Sequence, residues 1–320
     1  MKIKRWVARR EANWQRLHHL LGQVEKRGLQ YLSAQEIQEL ASLYRSVSGD
    51  LARARTHQVG DRLIQELQQL TTRGYHQIYQ GSRHQEWAAV GEFILWGFPR
   101  VVQQTWGYTA IATSVFFGAG IIAWWYAWTD PVFLEIVVPD RLITMVRDER
   151  ELWMGSILGI EPLASTNIMI NNLRVSFSTV GGGITAGLVT LYILVLNGVF
   201  IGAIAALVGQ YGLAYPFWAF VFPHGSLELP AIFLAGGAGL LIARALVAPG
   251  QYSRVDALKV YGTQAAQLVF GVVALLVVAG VIEGFFSPNP LFPDVLKYLV
   301  GGGLFALLVL YCRRVKRVES

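Results

Sequence analysis

The chain has 320 residues, of which 53% are hydrophobic and only 15% charged, with a mean hydropathy of +0.41; that is too apolar for a soluble domain of this size and marks an integral membrane protein. The net charge of +6 resides in the first 100 residues, where 15 Lys/Arg face 9 Asp/Glu. A basic segment before a first span points to cytoplasmic retention and contact with membrane lipids, and its sparse aromatic interleaving argues against nucleic acid as a partner.

In chain order, residues 2–16 lack the apolar run of a signal peptide, so the amino terminus is expected to stay unprocessed and cytoplasmic. From residue 9 to about 100 the pattern is helical. Leu17, Leu20, Leu21 and Val24 fall at three- and four-residue spacings, Ser33 with Glu36 forms a capping box, and a longer helix is predicted over 48–79. A helical bundle with its apolar stripes as core explains this region better than catalysis does. His18, His19, His57, His76 and His84 show no repeated ligand spacing and read as solvated.

A first span is predicted near 107–128, with a belt of Trp and Tyr at its far end. Residues 129–172 follow as an acidic external segment. Asp130, Glu135, Asp140, Asp148, Glu149, Glu151 and Glu161 outnumber Arg141, Arg147 and Arg150, and 142–158 suits an amphipathic helix on the outer surface. The uncharged tract 175–222 is long enough for two spans, 175–196 and 198–222, with the break at Asn197-Gly198 or within 209–212. Further spans are predicted at 229–247, 269–286 and 295–311. Arg244, Arg254 and Lys259 fall on one side with Arg313, Arg314, Lys316 and Arg317, while Lys297 lies near the outer end of the last span.

The expectation is thus an all-α integral membrane helical bundle of about six spans (101–320), preceded by a cytoplasmic basic helical region (1–100), with both termini cytoplasmic. Small residues four apart, Gly198 with Gly202 and Ala235 with Gly239, suit close helix packing within the chain and leave a homo-oligomer open. The one cysteine, Cys312, excludes an intrachain disulfide and a cysteine-cluster metal site.

Between Arg174 and Arg244 the only Asp, Glu, Lys or Arg is Glu228, and His224 precedes it by four residues. Pro223, His224, Gly225, Glu228 and Pro230 make a polar, proline-bracketed octet, expected near the outer face between the third and fourth spans. Glu283, from the fifth span, falls at the same level. If helical, His224 and Glu228 share a face and stand within hydrogen-bonding reach. Such a group can clasp a broken or re-entrant helix, carry protons or a cation, or hold a metal. One His and two carboxylates is a thin ligand set for zinc, so no metal is assigned. No paired-histidine motif and no nucleophile with a nearby base is evident, so no catalytic residue and no cofactor is assigned.

The run 222–232, Phe-Pro-His-Gly-Ser-Leu-Glu-Leu-Pro-Ala-Ile, followed by Ala235-Gly236-Gly237-Ala238-Gly239-Leu240, resembles the signature of the stage II sporulation protein M family. Leu43-Tyr44-Arg45, residues 50–54, Asn171-Asn172, Asn197-Gly198 and residues 279–285 match in the same order. The resemblance adds Asn172 and Asn197 to the candidate residues. It implies a multi-pass plasma-membrane protein; the namesake acts with partners, a peptidoglycan hydrolase among them, in septal-wall thinning and engulfment, and is not itself known as the hydrolase. The leading expectation is a non-enzymatic scaffold that organises envelope or cell-wall remodelling proteins. The alternative is an ion- or proton-coupled transporter or channel using His224, Glu228 and Glu283.

Overall fold

A computed structural model describes residues 3–79, 83–154 and 160–315, all helix, turn or loop with no strand among them. Its contacts divide into two compact units, residues 1–93 and 94–320.

The first unit holds α1 (Ile3–Arg27), α2 (Ala34–Thr56), α3 (Asp61–Tyr79) and α4 (Arg83–Glu92). Leu17, Leu20, Leu21 and Val24 of α1 meet Leu40, Val47 and Ala54 of α2 and Leu67 and Leu70 of α3 in one core. Each fully buried leucine contributes about 1.5–3 kcal/mol. Ser33 and Glu36 form the capping box that opens α2. The expected helix over 48–79 is two helices, because α2 ends in a Schellman motif: Val59 N–H donates to the Ala54 carbonyl and Gln58 N–H to that of Arg55. The left-handed position is Gln58 (φ 45°). A glycine there would have signalled the stop; a glutamine hides it.

Charged residues knit the same three helices together. Asp50 is fully buried on α2, and both its oxygens accept from Arg10 Nε at 2.9 Å while Trp14 Nε1 donates to Oδ2 at 3.0 Å. Arg16 with Glu39 and Arg73 with Glu25 are two-pronged ion pairs nearer the surface. His18, His19, His57 and His76 are exposed, and the His84 side chain lies outside the described residues.

The second unit is a membrane bundle. After α5 (Phe98–Gln104) come α6 (Trp106–Thr129), α9 (Glu161–Gly181), α10 (Leu188–Gln210), α11 (Ala214–Val247), α12 (Arg254–Val281, continued by a π turn Ile282–Phe286) and α13 (Asp294–Cys312). Between α6 and α9 lie the short α7 (Pro131–Val137) and α8 (Asp140–Thr144) and a π turn, Met145–Glu149. Among the described residues five helices, α6 and α10 to α13, are long and apolar enough to cross a membrane. The less apolar α9 packs beside α11 and α12 as a further long helix. It starts near Gly280, whose carbonyl accepts from Ser165, and ends beside Thr190, whose hydroxyl donates to the Thr179 carbonyl.

The spans differ from the expected ones where the sequence is most uniformly apolar. Asn197-Gly198 lies inside α10 and interrupts nothing. The break falls at Gly212 (φ 76°), where Leu213 N–H reaches the Val208 carbonyl in a second Schellman motif. Consequently residues 198–210 of the expected span 198–222 belong to α10, and 214–222 join the expected span 229–247 in one 34-residue helix, α11. Residues 161–172, expected in the external segment, form the first half of α9.

Glycine decides how close α6 and α10 come. A Cβ on Gly202 would collide with the Gly120 carbonyl and one on Gly198 with that of Phe116, so the two parallel helices touch backbone to backbone. These small residues are therefore used within the chain. The residues after α6 do not form the long amphipathic helix expected from 142 onward. Leu134, Val138, Ile143, Val146 and Met154 pack instead on Leu207, Val208 and Phe217 at the ends of α10 and α11, forming a shelf. Arg150 pins it, donating to the Tyr211 carbonyl at 2.9 Å and lying over that ring. Residues 155–158 of that expectation lie outside the described residues.

Candidate functional site

The octet is neither a loop nor a re-entrant hairpin; it is continuous helix in the middle of α11. Pro223 and Pro230 each remove one N–H from the helical ladder, yet the helix runs through both, with Pro223 buried and Pro230 half-buried. His224 stands ten residues and Glu228 fourteen residues into α11, about 15 and 21 Å along its axis. Leu229, next to Glu228, shares a cavity with Gly120 and Gly202 from the central parts of α6 and α10. The pair thus lies inside α11, not in a connection between two spans as expected, and level with the last turn of α12, which supplies Glu283. The difference follows from the missing break: with no helix end at 222, the octet continues the helix.

Glu283 joins the pair from α12, as the sequence suggested. The ligand-type atoms of His224, Glu228 and Glu283 lie within 4.8 Å of one another. His224 and Glu228 share a helix face, but no hydrogen bond links them; His224 reaches to α12 on both of its nitrogens. Its Nδ1 is 3.0 Å from Ser287 Oγ, and its Nε2 is 3.8 Å from Glu283 Oε1. The latter exceeds hydrogen-bond range. Glu283 Oε2 is buried without a partner, and Glu228 makes no hydrogen bond among the described residues. Phe220 closes one side with its edge against the imidazole, ring centroids 5.3 Å apart.

The π turn explains why Glu283 and Ser287 face His224 together. Ser287 N–H bonds to the Ile282 carbonyl five residues back, which widens the last turn of α12 just where the site needs two side chains from it. Sequence reasoning did not single out Ser287, the first residue of a Ser-Pro-Asn-Pro run. The signal that could have found it is its spacing of four from Glu283.

The other candidate residues have different work. Gly225 and Pro230 line the opposite face of α11, where an apolar cavity of about 570 Å³ opens between α6, α11 and α13. Asn197 donates to the Ile193 carbonyl of its own helix, and Asn172 accepts from Asn171. Neither hydrogen-bonds to the trio.

A polytopic all-helical membrane protein with a buried His-Glu-Glu trio is the class that the fold and the site define. The family model of Stage II sporulation protein M matches residues 112–288, and the chain belongs to that family. A second family model, a domain of unknown function (DUF8413), matches residues 4–80, the α1 to α3 part of the first unit. No curated protein and no solved structure matches the chain.

Proposed function

We propose that this member of the family is a non-enzymatic scaffold in the plasma membrane, with both termini cytoplasmic, that assembles envelope or cell-wall remodelling proteins. The observation that carries this reading is the shelf. It is a short segment fixed on its own core that leaves Asp130, Glu135, Asp140, Asp148, Glu149 and Glu151 exposed. Arg147 compensates Asp148 alone, its Nε 2.9 Å from the carboxylate, and Arg150 is engaged by Tyr211. A net acidic surface held rigid at the extracytoplasmic end of a bundle presents a fixed pattern to a basic partner at little ordering cost. The basic ends of α11 and α13, with Arg244, Arg313 and Arg314, supply the charge asymmetry that sets this orientation.

Affinity capture in mild detergent tests it, comparing wild type with a Glu135→Lys, Glu149→Lys, Glu151→Lys variant. An envelope-remodelling protein should accompany the wild type and fall by about tenfold or more with the variant. Recovery of the chain alone would contradict the reading.

A second reading, an ion- or proton-coupled path, is favoured by the burial of ionisable side chains among the membrane helices. It expects Glu228→Gln to abolish flux in proteoliposomes while leaving abundance and thermal stability unchanged.

A further inference from the structure

The trio is assembled in a way that a structural clasp does not require. A clasp satisfies its own polar atoms, and this one leaves Glu283 Oε2 buried with no partner among the described residues. His224, by contrast, has one nitrogen fixed from outside the trio and the other turned into it. Its side chain is only 6% exposed, and Ser287 Oγ holds Nδ1 at 3.0 Å so that Nε2 is directed towards Glu283. This is how ligating histidines are oriented, by an outer partner on the nitrogen that does not bind.

We propose that His224, Glu228 and Glu283 bind one divalent first-row transition-metal ion, with Ser287 as the positioning residue behind the imidazole. Three arguments converge. Around an ion with bonds of about 2.0–2.2 Å, tetrahedral ligand atoms stand roughly 3.4 Å apart. The observed 3.8 Å between His224 Nε2 and Glu283 Oε1, and the 4.8 Å limit across the trio, close to that edge with side-chain movement alone. Second, the charges balance: two carboxylates and a neutral imidazole around a divalent cation leave no net charge in a medium that penalises one. Third, the donors are one imidazole nitrogen and carboxylate oxygens, a mixture that favours Zn²⁺ or Mn²⁺ over Ca²⁺ or Mg²⁺, which prefer oxygen alone. One coordination position remains for water. The ligands come from α11 and α12, so the ion would join the most buried span of the bundle to its neighbour.

The proposal stands apart from the scaffold reading, since a chain that captured no partner would still bind the metal. Tag-free full-length protein in detergent, stripped with chelator and dialysed against ZnCl₂ or MnCl₂, should retain roughly one ion per chain by elemental analysis. Glu228→Gln and Glu283→Gln should each weaken binding by about 10- to 100-fold or more, and Ser287→Ala by about tenfold. Glu135→Gln on the shelf should bind as wild type. Because a trio variant can fail to fold, Co²⁺ is added to the wild type as a second measurement. The expected result is a visible ligand-field spectrum that Zn²⁺ displaces and that Ser287→Ala shifts. A wild type that retains no stoichiometric metal overturns the proposal, as does equal binding by the Gln variants or a Co²⁺ spectrum that Ser287→Ala leaves unchanged.

Discussion

Asp50 and Glu283 are both carboxylates inside helical bundles, and they are treated in opposite ways. In the first unit Asp50 has no exposed surface and every oxygen occupied, with Arg10 bridging both and Trp14 adding a third hydrogen bond. In the membrane unit Glu283 is nearly as enclosed, yet one oxygen has no partner and the other stands 3.8 Å from an imidazole. Burying a carboxylate is costly in either setting. Where the protein itself supplies the compensation, the residue is structural; where the protein leaves it open, something else is expected to supply it.

Removing the compensation around Asp50 is the harshest test. Asp50→Ala strands the Arg10 guanidinium and the Trp14 N–H in the first unit, at a cost of about 3 kcal/mol or more. Hydrogen exchange of α1 and α2 in the full-length chain should accelerate accordingly, and unchanged protection there would show that the network is idle. In the membrane unit the comparable test is steric. Gly202→Val drives a side chain into the Gly120 backbone, and about 1–3 kcal/mol or more should be lost, read as a lower melting temperature in detergent. A variant as stable as wild type would mean that α6 and α10 do not pack as closely as described.

The smallest effect belongs to the surface pair Arg73 and Glu25. The hydrogen bonds from Arg73 hold the Glu25 carboxyl below its ordinary value of 4.5. The unfolded chain therefore binds the proton first as pH falls. The stabilisation is complete above the ordinary value and is lost as pH drops through the lower, folded one. Both side chains are about a third exposed, so less than about 1 kcal/mol is involved. Glu25→Gln should flatten this part of the acid unfolding profile; an unaltered profile would remove the pair from the account.

Much of this was legible in the residues. Leu17, Leu20, Leu21 and Val24 announce a core stripe, Ser33 and Glu36 a helix start, and the octet a polar centre in an apolar tract. Helix ends were harder to read. Gln58 ends α2 with no glycine, and Gly212 competes with other glycines in an apolar tract where any of several breaks satisfies the length of a span. That one ambiguity moved the octet from an interhelical loop to the interior of α11. The convergence of Glu283 on His224 followed from a shared level in the sequence, but Ser287 did not, because the π turn that aims it leaves no periodic trace.

The contrast between Asp50 and Glu283 is tested most directly by helix-resolved hydrogen exchange on Asp50→Asn and Glu283→Gln, each with and without Zn²⁺. The account predicts that Asp50→Asn loosens α2 whether or not Zn²⁺ is present. Without metal, Glu283→Gln should leave α12 as protected as in the wild type, or more so, since it removes an uncompensated charge; Zn²⁺ should then tighten α11 and α12 in the wild type alone. If Glu283→Gln loosens α12 without metal and Zn²⁺ changes nothing in the wild type, Glu283 is a structural carboxylate like Asp50 and the account fails.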